Sequence, residues 1–196
     1  MRRALCVLLF ALSVASLGAS ACQRHPAASS EDDAGAPVDV EIMAYLSEAR
    51  ALHHEANLKE SAGDLPGAIL ALDRLTGARR PHEGTRVPEV EEVLADTYAR
   101  VAELRLRSGD TENAGRAVEV GLAHAPAPTY FRGHLLEVSG VVEETRAAQL
   151  LDAGESTASA GARARAIRLL EEAVSVQEKV VHESLGADDA GEGGLR

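Results

Sequence analysis

The sequence predicts an all-α protein of about six helices, arranged as three antiparallel hairpins within residues 40–185. Apolar residues in this range recur at spacings of three and four, which places them along one face of a helix. Two similar turns, Ala62-Gly63-Asp64 and Ser108-Gly109-Asp110, separate such stretches, and a turn that recurs between helices is typical of stacked hairpins. No run of residues alternates between apolar and polar over enough positions to predict a strand.

The first hairpin joins a helix from about Val40 to Ala62 to a shorter helix that opens at Asp64-Leu65-Pro66. In the turn, Gly63 can take the left-handed conformation that ends a helix, and Asp64 can cap the next one. The apolar face of the longer helix consists of Ile42, Tyr45, Ala49, Leu52 and Ala56, and that of the shorter helix of Ala68, Ile69, Leu72 and Leu75.

The second hairpin begins with a helix from Pro88 to Ser108. Proline is favoured in the first turn of a helix, and acidic residues beside it suit the positive end of the helix dipole. Its predicted core face consists of Val90, Leu94, Thr97, Val101 and Leu104. A fourth helix opens at Asp110-Thr111, carries Ala114, Val118 and Leu122, and is closed by Pro126 and Pro128.

The third hairpin is predicted from two further stripes. Phe131, Leu135, Val138 and Val142 mark the fifth helix, and Ile167, Leu170, Val174 and Val181 mark the last, from about Ala162 to Ser184. Gly154 to Ser159 is predicted as the loop between them. The acidic, glycine-rich residues 186–196 are predicted to be a disordered tail.

These hairpins resemble the tetratricopeptide repeat family. The second hairpin carries the resemblance best, through Tyr98, Ala102, Gly109-Asp110, Ala114, Val118 and Pro126; the third keeps a turn glycine, Gly161, and its second helix. The resemblance implies that the first helices of the hairpins line a groove that binds a partner. The candidate groove residues are Tyr45, His53, Tyr98, Arg105 and Arg107.

The spacing departs from that family. Ala68 and Ala114 are 46 residues apart and Ala114 and Ala166 are 52 apart, whereas the family repeats every 34 residues or so. The additional residues fall in a long loop, Thr76 to Val87, and in a long fifth helix followed by its loop. A six-helix bundle whose hairpins only look repeated is the alternative architecture.

The chain begins with the pattern of an export signal. Arg2 and Arg3 precede an apolar stretch from Ala4 to about Ser16, and small residues follow it. Ala19-Ser20-Ala21-Cys22 resembles the lipobox of bacterial lipoproteins, which implies removal of residues 1–21 and acylation of Cys22. Two alternatives are cleavage after Ala21 by the ordinary signal peptidase, and a retained membrane-spanning helix.

Residues 22–39 are predicted to be the lipidated cysteine and a disordered tether, because they hold almost no large apolar side chain. Gln23 follows the cysteine; in lipoproteins an aspartate there retains the protein at the inner membrane. The resemblance therefore implies an outer-membrane lipoprotein, and we expect it to face the periplasm.

Charge and cysteine content limit the partners. Loss of residues 1–21 removes Arg2 and Arg3 and leaves 18 basic against 31 acidic residues, a formal charge of −13. Such a chain is not expected to bind nucleic acid. Cys22 is then the single cysteine left, so no disulfide is possible within the mature chain, and lipidation explains its presence.

No pattern predicts catalysis, a metal or another cofactor. His53 and His54 are adjacent on a helix and point about 100° apart, whereas helical metal ligands are spaced by three or four. The basic loop residues Arg79, Arg80 and Arg86 are predicted either to be solvated or to contact an acidic partner.

Two classes of function remain. The first is a membrane-anchored interaction scaffold or assembly factor that binds an unknown envelope protein and is held to the membrane through Cys22. The alternative is a periplasmic helical bundle that binds a small ligand or a metal. A shallow groove favours the first, and a deep apolar pocket with converging histidines favours the second.

Overall fold

The computed structural model describes residues 38–191, and in this range the chain forms six helices and no strand, which confirms the predicted all-α class. The predicted signal, Cys22, most of the tether and residues 192–196 lie outside the described residues. None of the helices in the described range is long and apolar enough to cross a bilayer. The six are α1 (Val40–Ser61), α2 (Leu65–Thr76), α3 (Pro88–Arg107), α4 (Thr111–His124), α5 (Tyr130–Asp152) and α6 (Ser156–Gly191).

The helices stack as three hairpins. Within each hairpin the two helices pack together, and α3 and α5 each pack against both helices of the hairpin before them. The first helices α1, α3 and α5 therefore lie side by side in one layer, with α2, α4 and α6 behind them. A closed six-helix bundle would bring α1 against α6, and these two helices do not touch within the described range.

The three hairpin turns share one conformation. Gly63, Gly109 and Gly154 all have φ between 80° and 83°, a left-handed backbone that glycine adopts without steric cost. In each turn the amide after the glycine donates to a carbonyl five residues back, at 2.8 Å, as in a Schellman motif. The glycines are 46 and 45 residues apart, so the repeat is regular although it is longer than 34.

The third turn corrects two sequence predictions. The turn glycine is Gly154 rather than Gly161, and the predicted loop ends early because α6 begins at Ser156. Ser159 is buried in α6, where its hydroxyl donates to the carbonyl of Ala147 at 2.7 Å. An alanine-rich stretch follows, and alanine has the highest helix propensity. At the other end α6 continues to Gly191, through the first six residues of the predicted tail.

The side of α6 that packs against α5 is not the predicted one. Ile167, Leu170, Val174 and Val181 were expected to face the core, but all four are exposed. The buried residues of α6 are small: Ser159, Ala162, Ala166 and Ala173. A Cβ atom on Gly140 of α5 would lie 2.7 Å from the Leu170 side chain. Glycine at this position therefore leaves room for Leu170, whose side chain lies against α5 although it is 36% exposed.

Elsewhere the predicted core faces are confirmed. All five stripe residues of α3 are buried, and four of the five in α1 are buried as well. The core forms two clusters, a larger one around Leu72, Leu104 and Leu135 that extends from α1 to α5, and one around Tyr45, Leu75 and Leu94 near the start of α1.

Candidate partner-binding face

The first helices of the hairpins present one continuous surface on the side away from α2 and α4, which we call the first-helix face. It contains two adjoining depressions, one between α1, α3 and α5 and the other between α3 and α5. On α3 the contributing residues recur at spacings of three and four, so they form a single row along the helix. The face includes Leu46, Arg50, His53, Glu89, Glu92, Val93, Asp96, Arg100, Glu103, Leu106, Arg107, Phe131, His134, Glu137, Val138 and Val141.

A chain of ionic contacts crosses this face from α1 to α5. Glu60 of α1 accepts from both Arg100 and Arg107 of α3. Arg100 also donates to Glu103 at 3.0 Å, and Glu103 lies 3.2 Å from Nε2 of His134 on α5. The side chains of Glu60 and His134 are largely shielded from solvent, so these pairs are less screened than surface pairs. This ionic chain therefore links the three hairpins to one another.

His53 is held neutral on this face. Its Nε2 lies 2.9 Å from the Thr97 hydroxyl, which itself donates to the carbonyl of Val93 at 2.6 Å. Because the hydroxyl proton is already used, His53 must be the donor, with its proton on Nε2. Burial lowers the pKa of His53, the charge of Arg100 lowers it further, and Asp96 opposes both effects.

The pKa of His134 is shifted in the opposite direction, upward. Its hydrogen bond with Glu103 raises the pKa of His134, and the same bond is the main cause that lowers the pKa of Glu103. Both shifts favour the ionised pair. The face thus carries a neutral histidine at His53 and a histidine that favours the cation at His134.

Two of the five predicted groove residues lie on this face. His53 borders one depression and Arg107 the other, and their binding role stays a prediction. Tyr45 is only 4% exposed and packs in the core around Leu75.

Tyr98 and Arg105 point toward the second layer of helices. Tyr98 stacks on His124 of α4, with ring centroids 5.6 Å apart and an interplanar angle of 7°. Arg105 donates to the Asn113 carbonyl at 3.3 Å and lies 3.5 Å from Asp73 of α2. A Cβ atom on Gly121 of α4 would lie 2.9 Å from the Tyr98 Cβ atom, so glycine there lets α4 pack close to this side of α3.

The residues that sequence reasoning missed belong to the polar row of α3 and its neighbours. Glu92, Asp96, Arg100 and Glu103 were missed, and with the predicted Arg107 they are spaced by four, four, three and four, so the row was visible opposite the apolar stripe of the same helix. Two of the residues that α5 contributes had no such signal, because Phe131 was assigned to the core and His134 stood alone in the sequence.

The basic loop is neutralised within the chain. Arg86 donates to Glu91 at 2.6 Å and to the carbonyl of Ala123 at 2.7 Å, while Arg79 pairs with Glu83 at 3.0 Å. Burial raises the pKa of Glu91, but its hydrogen bonds with Arg86 and His124 outweigh burial and hold that pKa below its usual value. The loop therefore serves to fix the start of α3.

Residues 38–191 contain no group of three histidine, cysteine, aspartate or glutamate side chains placed to hold a metal ion. His53 turns toward Thr97, while the neighbouring His54 is exposed. Comparison of the chain with protein-family models, with curated proteins and with solved structures gave no match. The fold alone defines the class of this protein: an all-α stack of three helical hairpins.

Proposed function

We propose that this protein is a membrane-anchored lipoprotein that serves as an interaction scaffold or assembly factor in the bacterial envelope. The observation that carries the proposal is the first-helix face, where three helices present arginine, histidine and aromatic side chains on one surface. The ionic chain from Glu60 to His134 arranges that surface before any partner arrives. Prearranged side chains lower the entropic cost of binding.

The chemistry of the face suggests what a partner segment would present. Leu46, Val93 and Phe131 form an apolar patch beside Glu92 and Asp96. Neither carboxylate makes an ion pair with another residue of the described range. A segment with an apolar side chain for the patch and a lysine or arginine beside it would complement both features.

The anchor would keep this face near a membrane. Two or three acyl chains on Cys22 would bury enough methylene groups for stable attachment, at about 0.8 kcal/mol for each group. The predicted tether of 17 residues, if flexible, would span roughly 20 to 25 Å. The acidic body would not be drawn to an anionic leaflet. We place the protein at the outer membrane, facing the periplasm.

Charge reversal on the face tests the binding role. Glu92→Lys should reduce crosslinking to the natural partner in the native envelope by about fivefold or more, since a rim charge of the wrong sign repels the partner's basic residue. Glu119→Lys is the matched control, because Glu119 is an exposed glutamate on α4, in the second layer. Quantitative mass spectrometry of the crosslinked neighbours provides the measurement.

Equal loss of crosslinking in Glu92→Lys and Glu119→Lys would contradict a role for the first-helix face. Recovery of no protein neighbour, together with a small molecule or metal in the purified protein, would favour the ligand-binding alternative instead.

A further inference from the structure

The third hairpin exposes an apolar groove between α5 and α6, which we call the α5–α6 groove. Gly133 and Glu137 of α5 form one wall, and Leu170, Val174, Val181 and Leu185 of α6 form the other, around a volume of about 630 Å³. Val174, Val181 and Leu185 are 57%, 56% and 64% exposed. Large exposed apolar patches rimmed by polar residues commonly mark protein–protein interaction sites.

The two other grooves between paired helices of this fold each hold a helix. The groove between α1 and α2 is filled by α3, which packs against both helices, and the groove between α3 and α4 is filled by α5 in the same way. The α5–α6 groove is the third of this series, and no helix of residues 38–191 packs in it. In stacked repeats the terminal unit needs a polar outer face to stay soluble alone, and here that face is apolar.

We propose that the α5–α6 groove binds an amphipathic helix of a partner protein, one with an apolar stripe and basic flanks. The partner helix would lie where the first helix of a fourth hairpin would pack. The apolar wall of α6 runs from Leu170 to Leu185, which is about 22 Å, or four turns, at 1.5 Å per residue. A helix of this length satisfies its own backbone hydrogen bonds, so an apolar wall suffices to hold it.

The acidic lining of the groove favours basic residues on either side of the partner helix's apolar stripe. Glu137 and Glu178 line the groove, and no lysine or arginine does so. Within the described residues neither glutamate forms an ion pair. Lysine or arginine on both sides of the apolar stripe would pair with them. A second copy of this chain fits less well, because a two-fold contact would set the same acidic lining against itself, and none of the described residues that line the groove is a lysine or arginine.

This groove adds a second docking surface to the proposed scaffold, and its test does not depend on the anchor or on the first-helix face. Purified full-length protein would be titrated against fluorescent 18-residue peptides. The first has leucines at helical spacing with lysine flanks. The second replaces each lysine with glutamate, and the third scrambles the first.

We expect the lysine-flanked peptide to bind and the scrambled peptide not to bind, by fluorescence anisotropy. Val174→Glu and Val181→Glu should each weaken binding about tenfold or more, because the partner helix would bury an unpaired charge. Leu70→Glu is the matched control: Leu70 is 60% exposed on α2, outside the groove. Glu178→Lys should weaken binding of the lysine-flanked peptide and strengthen binding of the glutamate-flanked one.

Four results would overturn the proposal: equal binding of the scrambled peptide, wild-type affinity in both valine variants, no response to Glu178→Lys, or loss of binding in Glu92→Lys. The last would place the peptide on the first-helix face. Sedimentation of the free protein adds a further test, since a dimer that Val174→Glu dissociates would assign the groove to a second copy. Circular dichroism identifies any misfolded variant, and two valine positions keep the test independent of one substitution.

Discussion

A single hydroxyl group determines the protonation of His53. The Thr97 hydroxyl gives its proton to a backbone carbonyl, so only the neutral ring with its proton on Nε2, or the cation, can bond to it. Burial and Arg100 disfavour the cation. His53 is therefore a half-buried hydrogen-bond donor to Thr97.

This environment predicts a pH dependence. Burial lowers the pKa of His53 in the folded protein below its ordinary value of 6.5. The unfolded chain therefore binds more protons below pH 6.5, and the stabilisation is complete above pH 6.5 and is lost as the pH falls through the lower folded pKa. The stability of the wild type relative to His53→Gln should therefore drop as the pH falls from 8 to 5.

Urea unfolding at several pH values measures this difference. Glutamine can still donate to Thr97 but does not titrate in this range. His54→Gln, at an exposed position, is the control and should show no such trend. A relative stability that rises as the pH falls would contradict the account of His53.

At the scale of the helix, the hairpin turns depend on glycine. Gly109 has φ of +83°, and any other residue in the left-handed region costs about 1 to 2 kcal/mol. Gly109→Ala should lower the free energy of unfolding by about this amount. Gly115→Ala should have the opposite sign, because Gly115 lies inside α4 and its Cβ would meet only ordinary contacts at 3.5 Å and beyond.

Alanine in place of a helical glycine stabilises by about 0.5 to 1 kcal/mol. Urea unfolding of the two variants beside the wild type provides the measurement. Destabilisation of similar size in both would mean that packing near α4, rather than the conformation of the turn, determines the result.

The six helices could be predicted because their signals are local: apolar spacing, a proline or aspartate at the start and a glycine at the end. Which side of a helix faces a neighbouring helix is not determined by its local sequence. Gly121 lets α4 pack close to Tyr98, and α6 buries small residues such as Ala162 and Ala166 where the apolar spacing predicted valines. Both facts depend on residues of another helix, which one stretch of sequence does not reveal.

The same distinction explains the first-helix face. His53 and Arg107 were predicted to line it because the tetratricopeptide resemblance implies that the first helices form the groove, whereas His134 joins the face through Glu103 of α3. The third turn was misplaced because Gly161 lies in an alanine-rich stretch that remains helical. Gly154 shares the left-handed φ of the other two turns, and that conformation is visible only in the folded chain.

At the scale of the whole molecule, the proposed anchor predicts where the protein is found. Cys22→Ser removes the sulfur that would carry the acyl chains, so the mature protein should move almost completely from the membrane fraction to the soluble fraction. Fractionation and immunoblotting measure the distribution. Cys6→Ser, within the predicted signal, is the matched control and should leave the protein with the membrane. A wild-type protein that is already soluble after export would refute the anchor.

The order of contacts along the stack has a mechanical consequence. Within residues 38–191 each hairpin packs only against its neighbours, so we expect the body to bend at the junctions between hairpins. The ionic chain from Glu60 to His134 lies on one side of those junctions, in the layer of first helices. These ion pairs resist separation of the first helices, because spreading the helices apart must break them, whereas pressing the helices together breaks none. The body is therefore stiffer in one bending direction than in the other.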